Sequence, residues 1–180
     1  MIDFSSNHFA LFGLAPRFRI DAAALDAAYR RLQSEVHPDR HAHGADADRR
    51  LALQASAQAN EAYRTLREPV TRAEYLLTLH GLDARDETDT QLDLGFLERQ
   101  LERREQAAEA AEQRDARTLA AVMDGVRREA GELEVALAVM LDERHDYARA
   151  RAAVRELRFL HKVSEDLAEL DAALDEAAES

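Results

Sequence analysis

The sequence predicts an all-α protein in two modules. A helical hairpin with short flanking helices occupies residues 1–80, a polar linker 81–93, and a three-helix bundle 94–180. Three observations predict this. Only six glycines and three prolines occur in 180 residues, while Ala, Leu, Glu and Arg abound, which favours helix. Apolar residues recur at spacings of three and four along most of the chain, the period of a helix with one buried face. The charge is also divided. Residues 1–80 hold ten arginines against ten acidic groups, and the rest hold 14 basic against 26 acidic, so the net charge of −12 lies in the second part. Such asymmetry points to two modules with different partners.

The elements follow in order. HFALFGL at 8–14 is a short apolar opening expected to pack on later helices, and Pro16 interrupts it. Asp21 is a suitable N-cap for a helix reaching Val36, with Leu25, Tyr29, Leu32 and Val36 on one stripe. Pro38 ends it, because proline disfavours helical geometry at the preceding residue. After a polar loop, a second helix is expected from Asp46 or Asp48 to Leu66, burying Leu51, Ala55, Ala59, Ala62, Tyr63 and Leu66. Two helices joined this way run antiparallel. Glu68-Pro69 breaks the pattern, Thr71 is the expected cap of a short helix through RAEYLLTLH, and Gly81 stops it. The apolar Tyr75, Leu76, Leu77 and Leu79 are expected to pack the first module on the second. Helices are then expected over 94–113, 115–141 and 147–177, the second carrying Leu119, Val122, Met123, Val126, Leu133, Leu137 and Met140 and the third Val154, Leu157, Leu160, Leu167, Leu170 and Leu174 as their apolar positions.

Several function classes are excluded or disfavoured. No run approaches the ~18 apolar residues of a membrane helix. Met1–Asn7 lacks the basic and apolar regions of a secretory signal, so a cytoplasmic address is expected. There is no cysteine for a disulfide, thiolate zinc site or nucleophile. The acidic balance disfavours nucleic acid as a partner, and no Gly-rich phosphate loop is present. The chemistry that stands out is in the loop: His37, Pro38 and Asp39, with His41 and His43 beyond. As a metal site, His37, Asp39, His41 and His43 offer N and O donors, but alternate residues in a loop fix no coordination sphere. As a catalytic site, His37 would be a base oriented by Asp39, yet no nucleophile or oxyanion group accompanies it. The third reading is a solvated loop that only ends a helix.

His-Pro-Asp at the end of an amphipathic helix, before an antiparallel helix with an Ala- and Tyr-rich inner face, resembles a J-domain, the ATPase-stimulating module of co-chaperones that serve DnaK-type chaperones. HFALFGL, YRRLQSEVHPDR, ANEAYRTLREPVTRAEYLLTLHG and FLERQLERRE together resemble the HscB family over nearly the whole chain. That resemblance implies a J-domain packed in an L-shape against a C-terminal three-helix bundle. It implies a co-chaperone without catalytic residues, cofactor or metal, which stimulates an HscA/DnaK-type ATPase and delivers the iron–sulfur scaffold protein IscU to it. The alternative is a J-domain co-chaperone with a different client. On the chaperone side the resemblance points to His37, Pro38 and Asp39, with Arg30, Arg31 and Arg40 as the basic surround. Pro38 stiffens the turn, which lowers the entropy cost of presenting its neighbours. His41 stands where the family often has Phe, and Glu98 where it often has an apolar residue.

In the second module, Leu97, Leu101, Arg104 and Glu105 share one helix face, flanked by Glu98 and Glu102. Phe159 lies about 160° round its helix from Leu157, at ~100° per residue, outside that core stripe. By resemblance these seven residues form the scaffold-binding face. Leucines at helical spacing are also what a core looks like, so Leu97 and Leu101 have two readings: buried packing or exposed contact.

Overall fold

The computed structural model describes residues 7–36, 46–84 and 92–179, which are helical apart from their connections and contain no strand. The chain divides into two compact units, Met1–His80 and Gly81–Ser180.

In the first unit, α1 (His8–Leu11) is capped by the Asn7 side chain and closed by Gly13 at φ +69°. α2 (Ala22–Val36) starts where the Asp21 carboxylate accepts hydrogen bonds from the Ala23 and Ala24 amides. Leu25, Ala28, Leu32 and Val36 are its buried stripe, and Tyr29 is half-buried beside it. α3 (Asp46–Arg67) buries Ala52, Ala55, Ala59, Ala62 and Leu66. Leu51, expected inside, is 57 % exposed. At ~100° per residue Leu51 and Ala52 flank the stripe on opposite sides by about 50° each. α2 covers the Ala52 side, where Tyr63 stacks on Tyr29, and so leaves Leu51 uncovered.

α4 (Pro69–Leu79) begins two residues before Thr71. Pro69 occupies the first helical position, where its missing N–H costs nothing and its fixed φ is already helical. Thr71 instead bonds back from inside the helix, its hydroxyl donating to the Thr65 carbonyl. The unit's core gathers Phe9, Phe12, Phe18, Leu25, Leu66, Leu76 and Leu77. Tyr75 spends its ring and hydroxyl on α1: it stacks on His8 and accepts a hydrogen bond from the His8 amide. Arg72 lies buried with its guanidinium over the Phe18 ring, donating to the Leu66 carbonyl.

The second unit is built from α5 (Leu94–Glu112), α6 (Ala116–Ala138) and α7 (Tyr147–Glu179). The α5–α6 turn is short because both ends are satisfied locally. Arg114 adopts φ 55°, the Arg114 amide bonds Ala111 O and the Asp115 amide bonds Ala110 O, a Schellman closure with arginine where glycine is usual. Asp115 then caps α6 through the Thr118 amide. α6 gives way at Val139–Arg144 to a wider π-helical turn ended by His145 in the left-handed region, whose ring nitrogen meets the Leu141 carbonyl. The core holds Phe96, Ala107 and Ala110 of α5, Leu119, Val122, Val126 and Leu137 of α6, and Val154, Leu157, Leu160, Val163 and Leu167 of α7.

Candidate functional site

The first candidate surface is the end of the α2–α3 hairpin. His37, Pro38, Asp39 and Arg40, with His41 and His43, lie outside the described residues. What the structure places is the pair of helices leading into and out of them. These are held in antiparallel register by a ladder of side chains: Tyr63 OH donates to Asp26, Tyr29 OH donates to Asn60 at 2.7 Å, Gln33 donates to Asn60, and Ser56 donates to Gln33. The Tyr29 and Tyr63 rings stack 4.1 Å apart along the same seam. Each bond has one geometry, whereas alanine against leucine packs in several, so the ladder pins the register. Arg30 and Arg31 are exposed on the last turns of α2, available to a partner. No local sequence signal singles out Asn60, Gln33 or Ser56, because their partners are 23 to 31 residues away.

The second surface lies on the outer side of α5. Leu97 is 37 % and Leu101 59 % exposed, so neither is a fully buried core residue. The buried positions are their neighbours Phe96 and Gln100, the latter only 1 % exposed. Gln100 is satisfied there: it donates to Glu129 and accepts from Arg103. Glu98, Glu102, Arg104 and Glu105 are exposed on the same helix. Phe159, half-buried on α7, meets Phe96 edge-on with ring centres 5.6 Å apart. The Arg104 guanidinium sits 5.6 Å from the Phe159 ring centre and pairs with Asp166 at 2.9 Å, so it joins the leucine face of α5 to the aromatic of α7. All seven expected residues of this face are therefore placed, with Phe159 tied to it through Phe96 and Arg104.

The electrostatics of this unit centre on Glu129. Burial alone would raise its carboxyl, but hydrogen bonds from Arg103, Gln100 and Arg99, with the charge of Arg103, outweigh that and hold it below the usual range. Glu156 on α7 is pushed up, first by burial and then by the Asp93 and Glu129 carboxylates, with Arg99 opposing. Among the described residues, no group of three or more His, Asp or Glu side chains is placed to hold a metal ion, and no helix is long and apolar enough to cross a membrane.

Comparison with known proteins extends these observations. Residues 92–168 match the family described as HSCB C-terminal oligomerisation domain. The chain is 48 % identical to the co-chaperone protein HscB homolog of Cupriavidus taiwanensis, over 91 % of this chain and 92 % of that protein. It superposes on the chaperone HscB from Vibrio cholerae with TM-score 0.85 at 32 % identity, covering 94 % of this chain and 99 % of that one. It superposes on the human co-chaperone protein HscB with TM-score 0.85 at 28 % identity, covering 92 % and 82 %. A helical hairpin unit followed by a helical bundle, with these relatives, defines a J-domain co-chaperone, a protein that regulates a chaperone partner. Within that class the chain belongs to the HscB family.

Proposed function

We propose that this co-chaperone stimulates the ATPase of an HscA/DnaK-type chaperone through His37, Pro38 and Asp39, supported by Arg30, Arg31 and Arg40, and delivers the iron–sulfur scaffold protein IscU to it. Residues 1–80 serve the chaperone, 81–93 join the two modules, and 94–180 hold the client in the cytoplasm. The chain acts by binding and holds no catalytic group of its own. Asp39 accepts charge-assisted hydrogen bonds from a partner arginine, and the arginines at the end of α2 steer an acidic partner surface. The client sits on Leu97, Glu98, Leu101, Glu102, Arg104, Glu105 and Phe159. Two exposed leucines beside an aromatic, rimmed by charge, have the anatomy of a small interface. Affinity is expected in the micromolar range, about −8 kcal/mol, because the client is passed on.

The observation that carries this reading is the exposure of Leu97 and Leu101, two large apolar side chains on one helix face. The test is steady-state ATPase of a purified HscA-type chaperone, with and without IscU, comparing the wild type with His37→Gln and with the pair Leu97→Ala and Leu101→Ala. Stimulation is expected to vanish for His37→Gln at unchanged helicity. The double leucine variant is expected to keep basal stimulation and lose the added effect of IscU. Equal stimulation by wild type and His37→Gln would overturn the assignment of the tripeptide.

A further inference from the structure

The outer face of α5 carries more information than its two leucines. At ~100° per residue Leu94, Leu97 and Leu101 fall within about 60° of arc, and Glu98, Glu102 and Glu105 within the adjoining 60°. Leu94 is 69 % exposed, more than either leucine of the proposed client face. It opens the helix one turn before Leu97, directly after the Asp93 cap that fixes the start of α5. The apolar ridge is therefore three leucines long, with an acidic row along one side.

The helix also contains three arginines, and all three are occupied. Arg99 pairs with Glu129 at 3.4 Å, Arg103 pairs with the same carboxylate, and Arg104 pairs with Asp166 at 2.9 Å. Lys162 of α7 is drawn to Asp166 as well, at 3.1 Å. By contrast, among the described residues Glu98, Glu102 and Glu105 take part in no ion pair or side-chain hydrogen bond. On a helix with five acidic and three basic side chains, the positive charges are thus compensated by carboxylates of α6 and α7, while Glu98, Glu102 and Glu105 stand uncompensated beside the leucines.

From this segregation we infer that the face selects a client surface made of an apolar patch bordered by Lys or Arg, that Leu94 belongs to the contact, and that Asp166 is a positioning residue which keeps Arg104 from opposing that border. The inference rests on the client-binding reading of this face and adds the chemistry of what it binds. The unpaired carboxylates reward a basic border and repel an acidic one, while the leucine ridge supplies the desolvated centre. Asp166 pairs with Arg104 and Lys162. It acts by holding a cation against the Phe159 ring, where the charge is already compensated.

The experiment titrates purified IscU-type scaffold into the wild type, Leu94→Ala and Asp166→Asn, from about 50 to about 300 mM salt, a range over which surface charges are progressively screened. Wild-type affinity is expected to fall as salt rises. Leu94→Ala is expected to weaken binding about fivefold at every salt, with unchanged helicity and melting temperature. Asp166→Asn is expected to weaken binding at low salt and to flatten the salt dependence, an effect that a purely structural role would not produce. Affinity that rises with salt, or tighter binding by Asp166→Asn, overturns the basic border. A change within about twofold for Leu94→Ala removes Leu94 from the contact. Should the scaffold fail to bind the wild type, the client assignment falls. A second arm then decides the surface chemistry: two synthetic amphipathic peptides with identical leucines, one flanked by Lys and one by Glu. Preferential shifts of the α5 amide resonances by the Lys peptide support the inference, and equal or reversed preference overturns it.

Discussion

The α2–α3 hairpin and the α5–α7 bundle are both helix-on-helix packings, held by different chemistry. The hairpin seam has small residues on α3, alanine at 52, 55, 59 and 62, and relies on stacked tyrosines and hydrogen bonds among Tyr29, Gln33, Ser56, Asn60, Tyr63 and Asp26. The bundle relies on Leu, Val and Phe, and its buried polar group, Gln100, is satisfied by a charge cluster at the edge of the core. Area of apolar burial sets stability, while directional bonds set register. The hairpin helices lead into and out of one proposed signal, and the bundle carries the other on a helix face that needs only a rigid platform.

Substitutions that attack each kind of glue separate the two. The largest effect is expected for Phe96→Ala, which empties a fully buried site touching Phe159: about 3–5 kcal/mol of stability lost, measured by urea unfolding. Client binding should fall with it, since Phe96 supports the Phe159 ring edge-on. Tyr29→Phe keeps the ring stack but leaves the Asn60 carbonyl without its hydroxyl donor, at about 1 kcal/mol. Chaperone ATPase stimulation should drop by more than that loss of stability accounts for, if register matters. Stimulation unchanged at saturating protein would show that the ladder serves stability alone.

A change of similar size and opposite sign is expected from Arg114→Gly, which removes a side chain from a left-handed position at φ 55° and stabilises by about 1 kcal/mol, seen as a higher melting temperature.

The pH responses of the bundle are expected to be smaller and opposite in sign. Glu129 is depressed in the fold, so its contribution is complete above the unfolded carboxylate pKa and is lost as pH falls towards the folded value. Glu129→Gln should therefore flatten the acid limb of a melting-temperature profile. Glu156 is raised by burial and by Asp93 and Glu129, so its ionisation works against folding above the usual carboxylate range. Glu156→Gln should raise the melting temperature at neutral pH and have no such effect at pH low enough to protonate both forms. The smallest effect is expected for Leu101→Ala, which should move stability by no more than about 0.5 kcal/mol, with Leu97→Ala well short of the ~2–5 kcal/mol of a fully buried leucine, while both weaken client binding.

Much of this architecture is readable in order along the chain. Helix existence follows from the three-and-four spacing, and the ends of α2 follow from Asp21 before it and Pro38 after it. The start of α4 is less readable, because Thr71 and Pro69 both carry an N-terminal signal and the proline's backbone preference wins. Leu51 is a failure of another kind: periodicity marks an arc, and which flank of the arc is covered depends on where the partner helix lies. The π-helical turn at Val139–Arg144 has no glycine or proline to announce it. On the outer face of α5, the spacing of Leu97 and Leu101 is readable, but their exposure is not, and Leu94 joins them only in the structure.

Local signals carried in the residues themselves, caps, breakers and apolar period, suffice to set helix type, number and approximate ends, because those are contests within a few residues of chain. Which side of each helix faces water is settled between segments far apart in the chain. Arg104 finds Asp166 across 62 positions and Arg103 finds Glu129 across 26, and these pairings turn a helix of mixed charge into one with an acidic, leucine-lined outer face. No window of sequence contains both partners, so that polarity emerges only when the helices pack.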